Sequence, residues 1–288
     1  MVQVLDHTGA PVRGGRARVN DIRLYYITAG EGPALVLLHG TPKNSYYWYK
    51  LFPLLTEHFT LVAPDLRGFG YSDKPPTADG YDCRTNANDI AELMSQLGHQ
   101  QYHVHGEDRG AEYAYALAAL YRDRALSLSF GEMLLSGFGL EESSFWTPEN
   151  VSAQFRQQGV WCWHLGFFFI PHVPEMLIQG HELEAHALDH WIECVKQPGC
   201  LRGILETYRA GFKNAEINRG LAREKLTLPV MTIGAPEFFG PRVQECALRF
   251  AETVTRSEIF DECGHSLALE GEERLATCLK EFCLSQDR

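Results

Sequence analysis

The sequence has no long hydrophobic run, no excess of positive charge and no paired-cysteine motif, and each absence narrows what the protein does. Its most apolar stretch, Leu165 to Pro174, is interrupted by Gly166, Pro171 and His172, far short of the ~20 apolar residues of a membrane span. Met1 to Gly15 is polar and Gly-rich, without the apolar core of about 7–15 residues that marks a secretion signal. Basic residues number 26 against 37 acidic ones, a net charge of −11. Such a surface repels phosphate backbones and anionic lipid, so neither nucleic acid nor membrane is an expected partner. The eight cysteines are scattered among apolar neighbours and none forms a CxxC pair. A chain of 288 residues has core enough to dispense with disulfide staples, and a reduced, cytoplasmic protein is expected. His186 and His190 have i,i+4 spacing, but no HExxH pattern or cysteine partner accompanies them. His181, His186 and His190 are read as a solvated helix face, and no metal is expected.

What is present is alternation. Ala17 to Thr28 alternates apolar and polar residues, as in an antiparallel strand pair. Ala34 to Leu38 is a continuous apolar run, as in a buried parallel strand. Trp48 to His58 has helical spacing and Phe59 to Pro64 reads as a strand. Asn86 to Leu97 is an amphipathic helix, Gln101 to His105 a strand, Gly110 to Tyr121 a helix and Leu126 to Met133 a strand. Strands return at Pro229 to Gly234 and Ser257 to Phe260, each followed by a helix, Val243 to Thr253 and Glu272 to Leu284. Alternating βα units predict an α/β fold, a mostly parallel sheet with helices on both faces. The aromatic-rich block between predicts an inserted helical cap at residues 135–219, with residues 1–134 and 220–288 forming the core. No internal repeat or low-complexity tract is present.

The chemistry concentrates at Gly106-Glu107-Asp108-Arg109-Gly110, between a predicted strand and a predicted helix. A sharp strand-to-helix turn holds its central residue in strained geometry, and it needs small residues at −2 and +2 because the backbones approach closely. The central residue is Asp rather than Ser. A carboxylate is a poor nucleophile toward esters and amides, but it displaces leaving groups from saturated carbon to form an alkyl-enzyme ester. Taken alone, the pentapeptide would equally serve as a Gly-flanked helix cap. Other strand ends add to it. In His39-Gly40-Thr41-Pro42 the backbone N–H of Thr41 is placed to join that of Arg109 in an oxyanion hole. Asp65 to Ser72 is a Gly-rich turn, and Cys263-Gly264-His265 offers a loop histidine after the last strand.

In this order HGTP, DLRGFGYSDKP, GEDRG and CGH resemble the motifs of the α/β-hydrolase superfamily, in its epoxide hydrolase and dehalogenase branch, over about Val19 to Leu284. The resemblance implies an α/β-hydrolase fold and no cofactor, with Asp108 as nucleophile and His265 as the base that activates water. Two carboxylates stand where the family places the residue that orients the base. Glu132 ends an otherwise apolar strand, where an ionisable group needs a reason, and Glu237 lies in a Gly/Pro-flanked loop; Glu132 is preferred. Epoxide opening also needs an acid at the ring oxygen. A bacterial branch that uses a His/Tyr pair is similar in its cap, which implies His164, in Trp163-His164-Leu165, and Tyr208, in Glu206-Thr207-Tyr208-Arg209-Ala210. His39, Trp163 and Phe168 are expected to contact substrate. The cap aromatics suggest a bulky apolar epoxide, with water as the second reactant and a homodimer compatible with the chain.

The pattern departs from the dehalogenases. Thr41 and Arg109 stand where haloalkane dehalogenases carry halide-binding Asn and Trp. Glu112 stands where fluoroacetate dehalogenases carry a second Arg for the substrate carboxylate, and Leu165 stands where they have Trp beside the cap His. Glu107 replaces the usual His before the nucleophile, and two adjacent carboxylates perturb one another unless they diverge. The expected activity is epoxide hydrolysis to a vicinal diol. A dehalogenase, and a non-hydrolytic member of the fold such as a cyclase or accessory protein, are the alternatives.

Overall fold

A computed structural model describes residues 3–140 and 184–286; His164, Trp163 and Phe168, and most of the expected cap, lie outside the described residues. Within them, eight strands form one sheet in the order β1-β2-β4-β3-β5-β6-β7-β8. They are β1 (Arg13–Val19), β2 (Ile22–Ala29), β3 (Ala34–Leu38), β4 (Thr60–Pro64), β5 (Tyr102–Glu107), β6 (Ala125–Gly131), β7 (Val230–Gly234) and β8 (Arg256–Ile259). β1 pairs antiparallel with β2, and β2 with β4; every pairing from β4 to β8 is parallel.

Side chains alternate across β3 as a two-faced strand requires. Val36 and Leu38 pack with α2 (Cys83–Gln96), α3 (Arg109–Leu120) and the helix after β7, α7 (Arg242–Phe250). Leu35 and Leu37 pack on the opposite face with Tyr47, Trp48, α1 (Phe52–Leu55) and α9 (Glu272–Leu284). Both faces are covered, so β3 is apolar throughout and wholly buried. Among the described residues between β6 and β7 stand the helices α4 (Ala185–Val195), α5 (Cys200–Arg209) and α6 (Gly211–Leu221). α8 (Leu267–Glu270) is a single turn before α9.

Two elements differ from the sequence expectation. β1 begins at Arg13, inside the Gly-rich N-terminus, because Tyr25 and Tyr26 cross over Gly14 and Gly15; a Cβ there would lie 2.5 Å from each tyrosine side chain. The helix expected over Trp48 to His58 is instead a 3-10 turn, Ser45–Trp48, and the short α1 with Pro53 in its first turn. Proline has no N–H to bond back into a preceding turn, so the two do not merge. His186 and His190, read as a solvated face, are partly covered: His190 stacks on Tyr46 at 4.4 Å between ring centroids, and its Nε2 lies 3.1 Å from Asn44 Nδ2.

Candidate active site

The parallel strands end on one edge of the sheet, where open α/β sheets place their ligands. β5 turns there directly into α3, and Asp108 stands at the turn with φ 54° and ψ −133°. Asp108 and Glu132 (φ 43°) are two of three non-glycine residues with positive φ among the described residues. Such strain persists only where surrounding structure enforces it. Here the packing does so: a Cβ on Gly106 would lie 2.3 Å from the Gly110 carbonyl oxygen, one on Gly110 1.9 Å from that of Leu38, and one on Gly40 2.4 Å from Asp108 Cβ. Glycine at these positions lets β3, β5 and α3 converge.

Convergence fixes the carboxylate. Asp108 Oδ1 accepts hydrogen bonds from the backbone N–H of Thr41 at 3.0 Å and of Arg109 at 2.6 Å. Oδ2 faces His265 Nε2 at 2.9 Å, and His265 Nδ1 faces Glu132 Oε2 at 3.3 Å. Glu132 Oε1 in turn accepts from the N–H of Ala235 at 2.6 Å. Asp108 is 19% exposed, against 6% for His265 and 0% for Glu132, so of the three it is the one a ligand reaches. Glu237, the alternative partner for His265, is exposed.

Burial alone would raise the Asp108 pKa, but the hydrogen bond and positive charge of His265, the Lys43 ammonium and the Thr41 N–H together hold it far below the carboxylate range. Burial disfavours the imidazolium of His265, yet Asp108 and Glu132 outweigh it and push the pKa up to about 9. Asp108 and His265 thus rest as an ion pair at neutral pH. The loop carrying His265 is tied by Glu270, whose two carboxylate oxygens accept from the N–H groups of Gly264 and Ser266 at 2.7 and 2.9 Å. The Phe238 ring lies against the imidazole at 4.2 Å.

Tyr208 is partly buried on α5, with the Arg109 guanidinium 5.3 Å from its ring centre. Burial, reinforced by the nearby Asp108 charge, pushes its hydroxyl up to about 12. His39, expected to contact substrate, is instead sealed in: Nδ1–H donates to the Gly40 carbonyl at 2.8 Å, and Nε2 accepts from the Leu66 N–H at 3.0 Å. Both nitrogens are used in tying the loop after β3 to the loop after β4, and burial drives its pKa down to about 4. The ring is a neutral brace with no nitrogen left for a ligand.

Three groups around the site have partners that the sequence does not disclose. Glu112 on α3 is fully buried and accepts from Arg109 Nη1 at 3.0 Å, Asn214 Nδ2 at 2.9 Å, Asn218 Nδ2 at 2.9 Å and the Ser136 N–H at 3.3 Å. It ties α6 to α3 and pairs the Arg109 charge. Glu107, the last residue of β5, has partners different from those of Asp108: it is held by the Tyr47 hydroxyl and by His105 Nε2. Lys43, in the loop after β3, is 1% exposed with its Nζ 4.0 Å from the centre of the Tyr47 ring. The last two stand among polar and Gly/Pro neighbours in the sequence, and their meeting through Tyr47 is a tertiary fact. Among the described residues no cluster of His, Cys, Asp and Glu has the makings of a metal site, and no helix is long and apolar enough to cross a membrane.

Residues 33–158 match the family model of the alpha/beta hydrolase fold. Over 279 residues the chain is 32% identical to the soluble epoxide hydrolase of Corynebacterium sp. (strain C12), spanning 93% of this chain and 96% of that one. It is 35% identical over 149 residues to the fluoroacetate dehalogenase of Burkholderia sp., spanning 51% and 46% of the two chains. A solved structure of the epoxide hydrolase CorEH without ligand superimposes with a TM-score of 0.83 at 29% identity, covering 95% of this chain and 99% of that one.

Proposed function

Starting from the fact that the chain belongs to the α/β-hydrolase family, in the branch of the soluble epoxide hydrolases, we propose that it opens an epoxide to a vicinal diol through a covalent ester on Asp108. One observation carries this reading: the two oxygens of Asp108 are already divided between two tasks. Oδ1 sits between the N–H groups of Thr41 and Arg109, while Oδ2, on the side of His265, is left to attack.

In the first half-reaction Oδ2 bonds to an epoxide carbon as the ring C–O bond breaks. Tyr208 and His164 donate to the departing ring oxygen, which ends as a hydroxyl. An ionised Asp108 is the state this step needs, and the environment holds it ionised. The product is a hydroxyalkyl ester whose carbonyl oxygen is Oδ1, still between its two donors. Esterification removes the charge that held His265 protonated, so the imidazole gives its proton to solvent, which restores the proton lost by the ring-opening donor, and becomes a base. In the second half-reaction water attacks the ester carbonyl carbon, giving a proton to His265 Nε2. Charge develops on Oδ1, where Thr41 and Arg109 stabilise it. Collapse expels the diol alkoxide, which takes the proton from His265; the Asp108 carboxyl then passes its own proton to His265, and the carboxylate–imidazolium pair is restored. Epoxide and water are consumed and the diol is formed, with no cofactor. Residues 135–219 are assigned to a cap that carries the ring-opening donors.

The relative that is a fluoroacetate dehalogenase supplies a second reading. Its carboxylate substrate would meet Arg109 already bound by Glu112, a carboxylate where a second cation would help, and this favours the neutral epoxide. The test is His265→Gln with a panel of aryl and alkyl epoxides. The expected result is an Asp108 peptide heavier by the whole mass of the epoxide. No adduct with any epoxide, together with fluoride release from fluoroacetate by the unaltered protein, would move the assignment to the dehalogenase.

A further inference from the structure

We infer that Lys43 is a positioning residue for the second half-reaction: its buried ammonium offsets the carboxylates gathered around His265, so that the imidazole gives up its proton once Asp108 is esterified. The inference rests on the covalent reading above and deepens it. Carboxylates dominate this part of the molecule. Asp108 and Glu132 flank the imidazole at 2.9 and 3.3 Å, Glu270 grips its loop on both sides, and Glu107 lies buried next to Asp108 in the chain. Esterification removes one of these charges and leaves three. An imidazole in such a field stays protonated, and an imidazolium is not a base.

The opposing charge is Lys43. Arg109 is occupied by Glu112, His39 is neutral, His105 is engaged by Ser129 and Glu107, and Glu237 faces solvent. Lys43 lies two residues beyond Thr41, its N–H donating to the Gly40 carbonyl at 3.1 Å. That anchors its stem in the loop that supplies the oxyanion hole. Its Nζ rests 4.0 Å from the Tyr47 ring centre and has no hydrogen-bond acceptor among the described residues. Tyr47 donates its hydroxyl to Glu107, so the one tyrosine side chain touches both the ammonium and the carboxylate. A buried cation without an acceptor is costly and needs a compensating field. Burial pulls the Lys43 pKa down, the carboxylates of Glu107, Asp108, Glu270 and Glu132 oppose that pull, and Lys43 in turn lowers the pKa of His265.

The test is a histidine Cε1–H NMR titration in the Asp108→Asn background, whose neutral side chain stands in for the ester. The His265 signal among the twelve histidines is assigned by its loss in His265→Gln. Adding Lys43→Met should raise the His265 midpoint by about one pH unit, and Lys43→Arg should leave it near its starting value. Lys43→Gln repeats the neutral replacement should the Met variant not fold. A midpoint that stays put with either neutral residue, or moves as far with Arg as with Met, overturns the inference. The titration needs no turnover, so it decides on Lys43 whether or not an ester forms; ester formation is decided separately by the His265→Gln adduct. With Asp108 intact, Lys43→Met should slow ester decay roughly tenfold at neutral pH, with recovery at alkaline pH.

Discussion

Glu132→Gln separates the two half-reactions in a way the geometry lets one work through. Glu132 Oε1 accepts from the Ala235 N–H at 2.6 Å, and Oε2 faces His265 Nδ1 at 3.3 Å. A glutamine keeps the first bond only by turning its carbonyl oxygen to Ala235, which leaves its NH2 group facing Nδ1. Two donors then meet, and the neutral imidazole resolves the conflict by moving its proton to Nε2. The nitrogen that should accept a proton from water now carries one. The loss should be that of the general base, roughly 10²–10⁴-fold in ester hydrolysis, or about 3–5 kcal/mol of barrier. Ester formation should change by only a few-fold, because Thr41, Arg109 and Lys43 still hold Asp108 ionised. Rapid-quench intact-mass measurements should therefore show the variant filling with ester at nearly the normal rate and then stalling. Ester decay at the unaltered rate, or formation slowed as much as decay, would refute the role given to Glu132.

The remaining predictions touch other parts of the site. Tyr208→Phe should slow ester formation by roughly 10²-fold and leave the decay of preformed ester unchanged, the reverse of Glu132→Gln in the same assay. Glu112→Leu leaves Arg109, Asn214 and Asn218 without their buried acceptor and should cost about 3–5 kcal/mol in urea unfolding, against a fraction of that for an exposed residue such as Glu237. The pKa of His265 rises on folding from 6.5 to about 9, so its contribution to stability is full below pH 6.5 and is lost as pH climbs through 9. Urea unfolding should show a loss of about 3 kcal/mol across that interval, absent in His265→Gln.

The sequence was most readable where local pattern decides structure. The apolar run Ala34 to Leu38 became β3 with the same bounds, because a strand covered on both faces has no other way to be written. Asp108, Glu132 and His265 stand out in the sequence as ionisable residues following strands, and the structure places His265 within hydrogen-bonding distance of the other two. What was lost depended on contacts between distant segments. Gly14 and Gly15 look like loop residues until Tyr25 and Tyr26 are laid across them. His39 sits in a motif that faces the site, yet both its nitrogens go to backbone groups, one of them at Leu66. Two partners of Glu112, Asn214 and Asn218, lie more than a hundred positions away, on α6. Lys43, Tyr47 and Glu107 come into contact only once β3 and β5 are neighbours.

The covalent ester is the centre of this account, and the origin of the oxygen atom added to the diol tests it most directly. In a single turnover with enzyme in excess in ¹⁸O-labelled water, the first diol should carry an unlabelled oxygen taken from Asp108, and the label should appear in the Asp108 carboxylate. A labelled diol from that first turnover, with Asp108 unlabelled, would mean that water attacks the epoxide directly and that no ester forms.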